Sequence, residues 1–503
     1  MLPLRKIALF LLTGFVFAGK GISSFDSVKR NPGHGLILDG KPAKQAIPAK
    51  VMDVELTQDE IPGSGLRIRS DDIVQSSHSH KVEPTTTMEG RGKRYAAAVP
   101  ISKGDEILSI PMDKILSVET ATTGRIHTLV KANPHLPSAV VLALHLLEEK
   151  FKGTSSKWHS FIASLPRSYH GTLFLSDDEA ELMQGSHLAR LTDTRRQAIE
   201  EFFEALESPL TSPDVMDPPF FTPTQFTLKN FQLAMAAVWT HTILLPKSIP
   251  DDATADDASP SDPFEAVLVP IVSTLAPCDD CVNDIRVEDG FFVMRATHSY
   301  AAGDEVQLHF GDNSMALYML NHGITPAAPS TLDVVPLGLH VEASDPLLMF
   351  KTHILTLMNT TMETTYALAY GVDPLTSSSN FLPSLRAKVL VSAELEHVQR
   401  ILDGGIVSLR NEHAVCRALL QTVLAMLAQY ATNARDVESA LKDPTLPAST
   451  RHLMRALHVE QAVLSALHAA VTSHWATLLA DDSLLHPTSS TQMSMADDDD
   501  DAA

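Results

Sequence analysis

The sequence predicts an α+β protein in which a β-rich region is interrupted by a helical insert and followed by an all-helical domain. Three observations carry this. Short apolar runs separated by Gly-Asp turns occur at 95–111 and again at 290–310. Between them, apolar residues recur with a helical period. Beyond about residue 340 the helical period returns and continues to about residue 475, with no Gly-rich loop among its segments.

The elements follow in order. The N-terminus MLPLRKIALFLLTGFVFAGKG has a basic start at Arg5 and Lys6, an apolar run Ile7–Ala18 and a Val16-x-Ala18 cleavage pattern. That run is short for a bilayer span, so residues 1–18 read as a secretory signal peptide. An organelle-targeting leader or an uncleaved anchor is the alternative. Residues 19–85 read as an irregular segment, with a loop at Ser76–Thr87. Tyr95–Pro100 and Glu106–Pro111 read as strands around a Ser102–Asp105 turn. Ser138–Lys150 has amphipathic helical spacing, and Lys157–Leu165 reads as a helix that Pro166 ends. Ser176 with Glu179 three residues on forms a capping-box pattern. Leu191–Leu206 and Thr227–Leu244 continue the insert. Glu265–Leu275, Gly290–Thr297 and Glu305–Phe310 return to strand character, the last two around Ala302-Gly303-Asp304. Lys351–Asn359, Ser384–Gly404, Ser408–Tyr430, Ala434–Lys442 and Thr450–Thr472 are helical. The domain reading is a β-rich unit at 86–330 with its insert at about 120–250, a helical domain at 335–480 and an acidic tail at 481–503.

Composition narrows the function. The 503 residues carry a formal charge of −22, with 39 Lys plus Arg against 61 Asp plus Glu. Phosphate neutralisation needs clustered cations, so a nucleic-acid partner is not expected. A mean hydropathy of +0.02 does not fit a polytopic membrane protein, and no membrane contact is expected beyond the leader. The aspartates of 251–262 and of Asp497–Asp501 carry ten of the negative charges. Runs of this kind are solvated, so the folded parts are only moderately acidic.

Local motifs are sparse. Cys278-Asp-Asp-Cys281 supplies two ligands where a structural zinc needs four, and no metal site is expected. Its two Asp oppose a reactive thiolate. Structural loop thiols, a local disulfide, a metal pair and a redox pair stay open. His145, His241, His309 and His322 lie near apolar segments. No GxSxG, P-loop or HExxH pattern occurs. Glu89-Gly90-Arg91-Gly92 precedes a strand, so it is a turn that could approach a ligand rather than a dinucleotide loop.

The order of these pieces resembles one family. EGRGKRYAAAVPISKGDEILSIPMDKIL (89–116) resembles the opening of a SET domain of the class of the Rubisco large-subunit methyltransferase and the actin histidine methyltransferase. LALHLLEEKFKGTSSKWHSFIASLP (142–166) and LFLSDDEAELMQGSHL (173–188) are similar to its helical insert. LVPIVSTLAP (268–277) and AGDEVQLHFGDNSMALYMLNHGI (302–324) stand at its two C-terminal SET motifs. SLRNEHAVCRALL (408–420) and ALHVEQAVL (456–464) resemble its helical substrate-binding domain.

The resemblance implies a SET core that binds S-adenosylmethionine and methylates a protein lysine, or a histidine, through a narrow channel. It places cofactor contacts on Glu89, Gly90, Arg91, Gly92, His241, Ala276 and Pro277, the catalytic position on Phe310 and a channel position on His322. Several of these positions depart from the family's pattern. Its Asn-His pair falls on Ala276-Pro277, which has no side-chain amide and, at Pro277, no N–H. Its cofactor-contacting Arg falls on His241. Its catalytic Tyr falls on Phe310 and its second channel Tyr on His322, so neither hydroxyl is present. The expectation is a SET-domain protein of this methyltransferase family with impaired activity. The alternative is an inactive SET pseudoenzyme that binds a protein or peptide.

Overall fold

The computed structural model describes residues 37–38, 41–42, 79–85, 94–215, 217–246, 264–278, 281–376 and 378–480. The leader, the Glu89–Gly92 motif, the acidic 251–262 insertion and the 481–503 tail lie outside the described residues. The chain divides into two compact units. One contains 27–180 and 190–327; the other contains 181–189 and 328–503.

The first unit is built on a four-stranded antiparallel sheet in the order Asp284–Glu288, Phe291–Arg295, Glu106–Pro111, Ser79–His80. Asp289 and Gly290 join the first two strands with φ of 50° and 81°. A two-residue hairpin with both central residues at positive φ matches the right-handed strand twist, and Asp-Gly supplies it. Phe292 pairs with Ile110 and Met294 with Leu108, and these four side chains are buried with Tyr95, Ile101, Ile107 and Val306. Strand Val82–Thr85 pairs with Arg94–Ala97, so Thr85 and Arg94 are register partners at the two ends of the segment that carries Glu89–Gly92. Residues 79–85 of the expected Ser76–Thr87 loop therefore differ from that reading. Lys81 donates its N–H to Ile107 O, and residues 79–85 are recruited as strand by partners further along the chain.

The helical insert has its own core. Helix Ser138–Lys152 is buried continuously from Ala139 to Glu149, so it is enclosed rather than amphipathic in place. Helix Leu228–His241 packs in the same cluster, with Phe231, Met235 and Val238 buried beside Leu142 and Leu146. The Ser176–Glu179 box forms as its spacing predicts: Ser176 Oγ accepts from Glu179 N–H at 3.3 Å, and Glu179 Oε2 accepts from Ser176 N–H at 3.2 Å. Strands Ile243–Pro246 and Phe264–Val267 pair antiparallel around the 247–263 insertion. Only the start of the predicted Glu265–Leu275 strand is extended, because a tight turn at Ile271 and a 3₁₀ turn at Val272–Thr274 interrupt it.

The second unit is mainly helical. Ser408 caps helix Leu409–Gln429 by accepting from Asn411 N–H at 3.0 Å. The 33-residue helix Ala448–Ala480 is long and apolar enough to cross a membrane by length and composition alone. Within the unit, however, it buries Leu453, Leu457, Glu460, Leu464 and Leu467. Two features differ from the sequence reading. Val334–Leu337 and Tyr366–Ala369 pair as antiparallel strands. The Ser384–Gly404 helix is broken into Phe381–Lys388, a 3₁₀ turn at Ser392–His397 and Gln399–Leu402. At the break, Glu394 Oε2 accepts from Val391 N–H, and Lys351 Nζ donates to Lys388 O.

Candidate functional site

The expected site residues that the structure describes come from four pieces of the first unit. Ala276–Pro277 is a short strand that pairs parallel with Gln307–Leu308, two residues before Phe310. The connection between them is laced back. Asn283 Oδ1 accepts from His309 N–H at 3.0 Å, and its Nδ2 donates to His309 O at 2.6 Å. His309 Nδ1 donates to Cys278 O at 3.0 Å. A disulfide joins Cys278 to Cys281. Among the described residues no group of three or more His, Cys, Asp or Glu could hold a metal ion.

Phe310 is partly buried against the core of the β-rich region. Asn313 Nδ2 donates to its carbonyl at 3.0 Å. Its ring faces His322 at 5.2 Å between centroids, and Tyr318 lies 5.7 Å from the same imidazole. The Tyr318 hydroxyl donates to Gly311 O at 3.1 Å, so it braces the turn after Phe310. His322 ends helix Met315–His322, which Ser314 starts by accepting from Leu317 N–H. Gly323 closes the helix at φ 68°, and a Cβ there would lie 2.1 Å from His170 O. Only glycine lets the two backbones approach this closely.

His241 is the last residue of helix Leu228–His241 and is 7% exposed. Its Nδ1 lies 2.6 Å from Ser273 O. A carbonyl only accepts, so Nδ1 carries the proton and Nε2 presents a lone pair. That Nε2 is buried without a hydrogen-bond partner among the described residues. Ser273 is held in turn, its Oγ accepting from Val269 N–H at 2.9 Å. The preceding turn places Ile271 at φ 67°, with Val272 N–H donating to Pro270 O. A β-branched residue in that region is strained, and strain of this kind is held in place only by well-determined surroundings.

One charged group completes the cluster. Arg195, from helix His187–Thr211, is 7% exposed. Its guanidinium lies 4.1 Å from the Trp239 ring centroid and donates from Nη1 to Asn321 Oδ1 at 2.6 Å. Thr240 Oγ1 donates to Asn321 O at 2.8 Å. Among the described residues no carboxylate pairs with Arg195 (contrast its neighbour Arg196, which pairs with Asp193).

The electrostatics follow from burial. Burial pushes His241 down to about 4, with the Ser273 carbonyl opposing. Burial pushes His322 down to about 3, helped by His241 and by the charge of Arg195. Burial pushes Arg195 down to about 9. Near pH 7 the cluster therefore holds two neutral imidazoles and one guanidinium that keeps its charge.

The structure thus gathers His241, Phe310 and His322 and sets Ala276–Pro277 in the strand beside them. Glu89, Gly90, Arg91 and Gly92 lie outside the described residues. Sequence reading missed Arg195, although a signal existed. Arg195 falls on the buried stripe of its own helix with Thr192, Ala198, Ile199, Phe202 and Leu206. A cation on an apolar stripe is where a function is to be sought.

Comparison with known proteins agrees with this architecture. Residues 342–485 match the family model described as Rubisco LSMT substrate-binding. The chain is 24% identical over 378 residues to the actin-histidine N-methyltransferase of Rattus norvegicus, covering 71% of this chain and 59% of that protein. It is 25% identical to the chloroplastic [fructose-bisphosphate aldolase]-lysine N-methyltransferase of Arabidopsis thaliana, covering 71% of this chain and 72% of that one. The chain thus spans about three fifths of the actin-histidine relative. Among solved structures, Rubisco LSMT bound to AdoMet superimposes with a TM-score of 0.66 at 18% identity, over 80% of this chain and 89% of that chain. The SET domain of LSMT bound to MeLysine and AdoHcy gives 0.67 at 18% identity, over 81% and 93%. The fold is that of the SET-domain LSMT proteins, and its helical C-terminal region carries the Rubisco LSMT-type substrate-binding domain.

Proposed function

We propose that this SET-fold chain is an S-adenosylmethionine-dependent protein N-methyltransferase for a lysine or histidine side chain, with a weakened transfer step. The observation that carries the weakening is Phe310: it supplies a ring wall beside His322 and no hydroxyl. The hydroxyl of nearby Tyr318 is turned to Gly311 O. Bound S-adenosylmethionine would supply a sulfonium methyl for in-line displacement by the target nitrogen. The chain's part is to position and desolvate that nitrogen. Neutral imidazoles at 241 and 322 suit this task, because they add no positive charge near a nitrogen that must be unprotonated to attack. Ala276 and Pro277 offer no polar side-chain contact, so polar recognition of the cofactor falls to other groups. The unpartnered Nε2 of His241 is one that fits.

The second reading is a SET pseudoenzyme that binds a protein or peptide without turnover. The missing hydroxyl at Phe310 favours it as well. The N-terminal leader supports placement in the secretory pathway or, alternatively, in an organelle.

The test combines calorimetry with S-adenosylhomocysteine and methyl transfer to lysine- and histidine-containing peptides. The weakened enzyme binds the cofactor product, and Phe310→Tyr raises its transfer rate by roughly 10²-fold. Equal rates for the wild type and Phe310→Tyr would overturn the weakening. Absence of any cofactor binding would leave the peptide-binding reading.

A further inference from the structure

Two buried polar groups in the cluster lack the partners that burial demands. Arg195 carries a guanidinium with five N–H donors; the described residues give it one hydrogen bond, to Asn321, and an aromatic face, but no carboxylate. An unpaired buried cation is costly unless something anionic arrives. His241 Nε2 is the opposite case, a buried acceptor without a donor. Arg195 lies against Trp239 and bonds Asn321, whose carbonyl accepts from Thr240, so the guanidinium sits at the helix end that carries His241 and beside the residue before His322. A ligand that satisfies both must carry an anionic acceptor and a cationic donor on one small unit, and an α-amino acid has this pairing.

We infer that Arg195 and His241 seat the α-amino-acid end of the ligand, Arg195 taking its carboxylate and His241 Nε2 its ammonium. This rests on the reading that the site takes S-adenosylmethionine, and it deepens that reading. The family resemblance puts the cofactor's cationic contact at position 241. Here that position holds a neutral acceptor, and the positive charge comes from a different helix, at 195. The exchange is one of polarity. A donor at 241 is replaced by an acceptor, and the guanidinium beside it takes the carboxylate.

The test is calorimetry on the full chain with three probes. S-adenosylhomocysteine carries the amino-acid end. 5′-Methylthioadenosine keeps the adenosine and thioether without it. Free methionine has the amino-acid end alone. The expected result is that Arg195→Met weakens S-adenosylhomocysteine at least tenfold and leaves 5′-methylthioadenosine unchanged. Arg195→Gln, which keeps a donor for Asn321, should do the same, and Arg195→Lys should recover part of the loss. An equal loss for both adenosine probes would make Arg195 a structural residue and overturn the proposal. So would unchanged affinity for S-adenosylhomocysteine, which would leave the cofactor reading standing. If the wild type binds methionine but neither adenosine probe, the seat is real and the cofactor reading fails. If it binds none of the three, both fail.

Discussion

The two units contain a buried arginine each, and the two are treated in opposite ways. In the helical unit, Arg386 meets Glu412 through Nε and Nη2 at 2.7 and 2.8 Å, and its Nη1 donates to Gly404 O and Gly405 O. Glu412 also accepts from His474 at 3.1 Å. Burial alone would raise the Glu412 carboxyl, but the hydrogen bonds and charge of Arg386, with His474 behind them, hold it below its ordinary value. Lys388 is treated likewise, donating to the carbonyls of Leu339, Met362 and Thr364. Glu460 accepts from the N–H groups of His187 and Leu188 and from the Tyr430 hydroxyl. In the β-rich unit, the partners of Arg195 among the described residues are Asn321 and Trp239. Where a buried charge serves the fold, its partners are built in. Where they are missing, the charge is held ready for a ligand.

Among the substitutions, breaking the built-in pair should have the largest effect. Glu412→Gln strands a buried guanidinium and should cost about 3–5 kcal/mol, read from denaturant unfolding of the full chain. A cost below about 1 kcal/mol would show that the pair contributes little. Acidification acts on several buried groups at once. His145 and His241 are both pushed down to about 4 by burial. Their folded-state values lie below the unfolded one, so the unfolded chain takes the proton first. Stability should be level above about pH 6.5 and fall between there and about 4, continuing to about 3 where His322 takes its proton, by roughly 1.4 kcal/mol per pH unit for each histidine at most. Urea titrations at several pH values measure this slope, and His145→Gln should reduce it. The smallest effect sharpens the contrast between the arginines. Arg195→Met in the ligand-free protein removes an uncompensated charge, so stability should change by less than about 1 kcal/mol or rise. A loss as large as that of Glu412→Gln would make the two arginines alike.

Much of the fold was legible because its signals are local. The Ser176–Glu179 box, the helix that begins after Ser408 and the turn at Gly303 form where the sequence places them. The strands that escaped notice depend on distant partners: Ser79 pairs with Ser109, and Val334 with Ala369. The Asp284–Glu288 strand was also missed, although Asp289-Gly290 is a strong hairpin signal.

The sequence by itself determined what Ala276, Pro277 and Phe310 cannot do. The lack of an amide, of an N–H or of a hydroxyl is a property of the residue and needs no coordinates. Only the tertiary structure decided what takes over. The carbonyl of Ser273 sets the tautomer of His241 and leaves its Nε2 as an acceptor. The packing of helix His187–Thr211 brings Arg195 to Asn321, next to His322, from 126 residues away in the chain. Both depend on groups remote in sequence, and a charge acquires its role from the partners that the fold supplies or withholds.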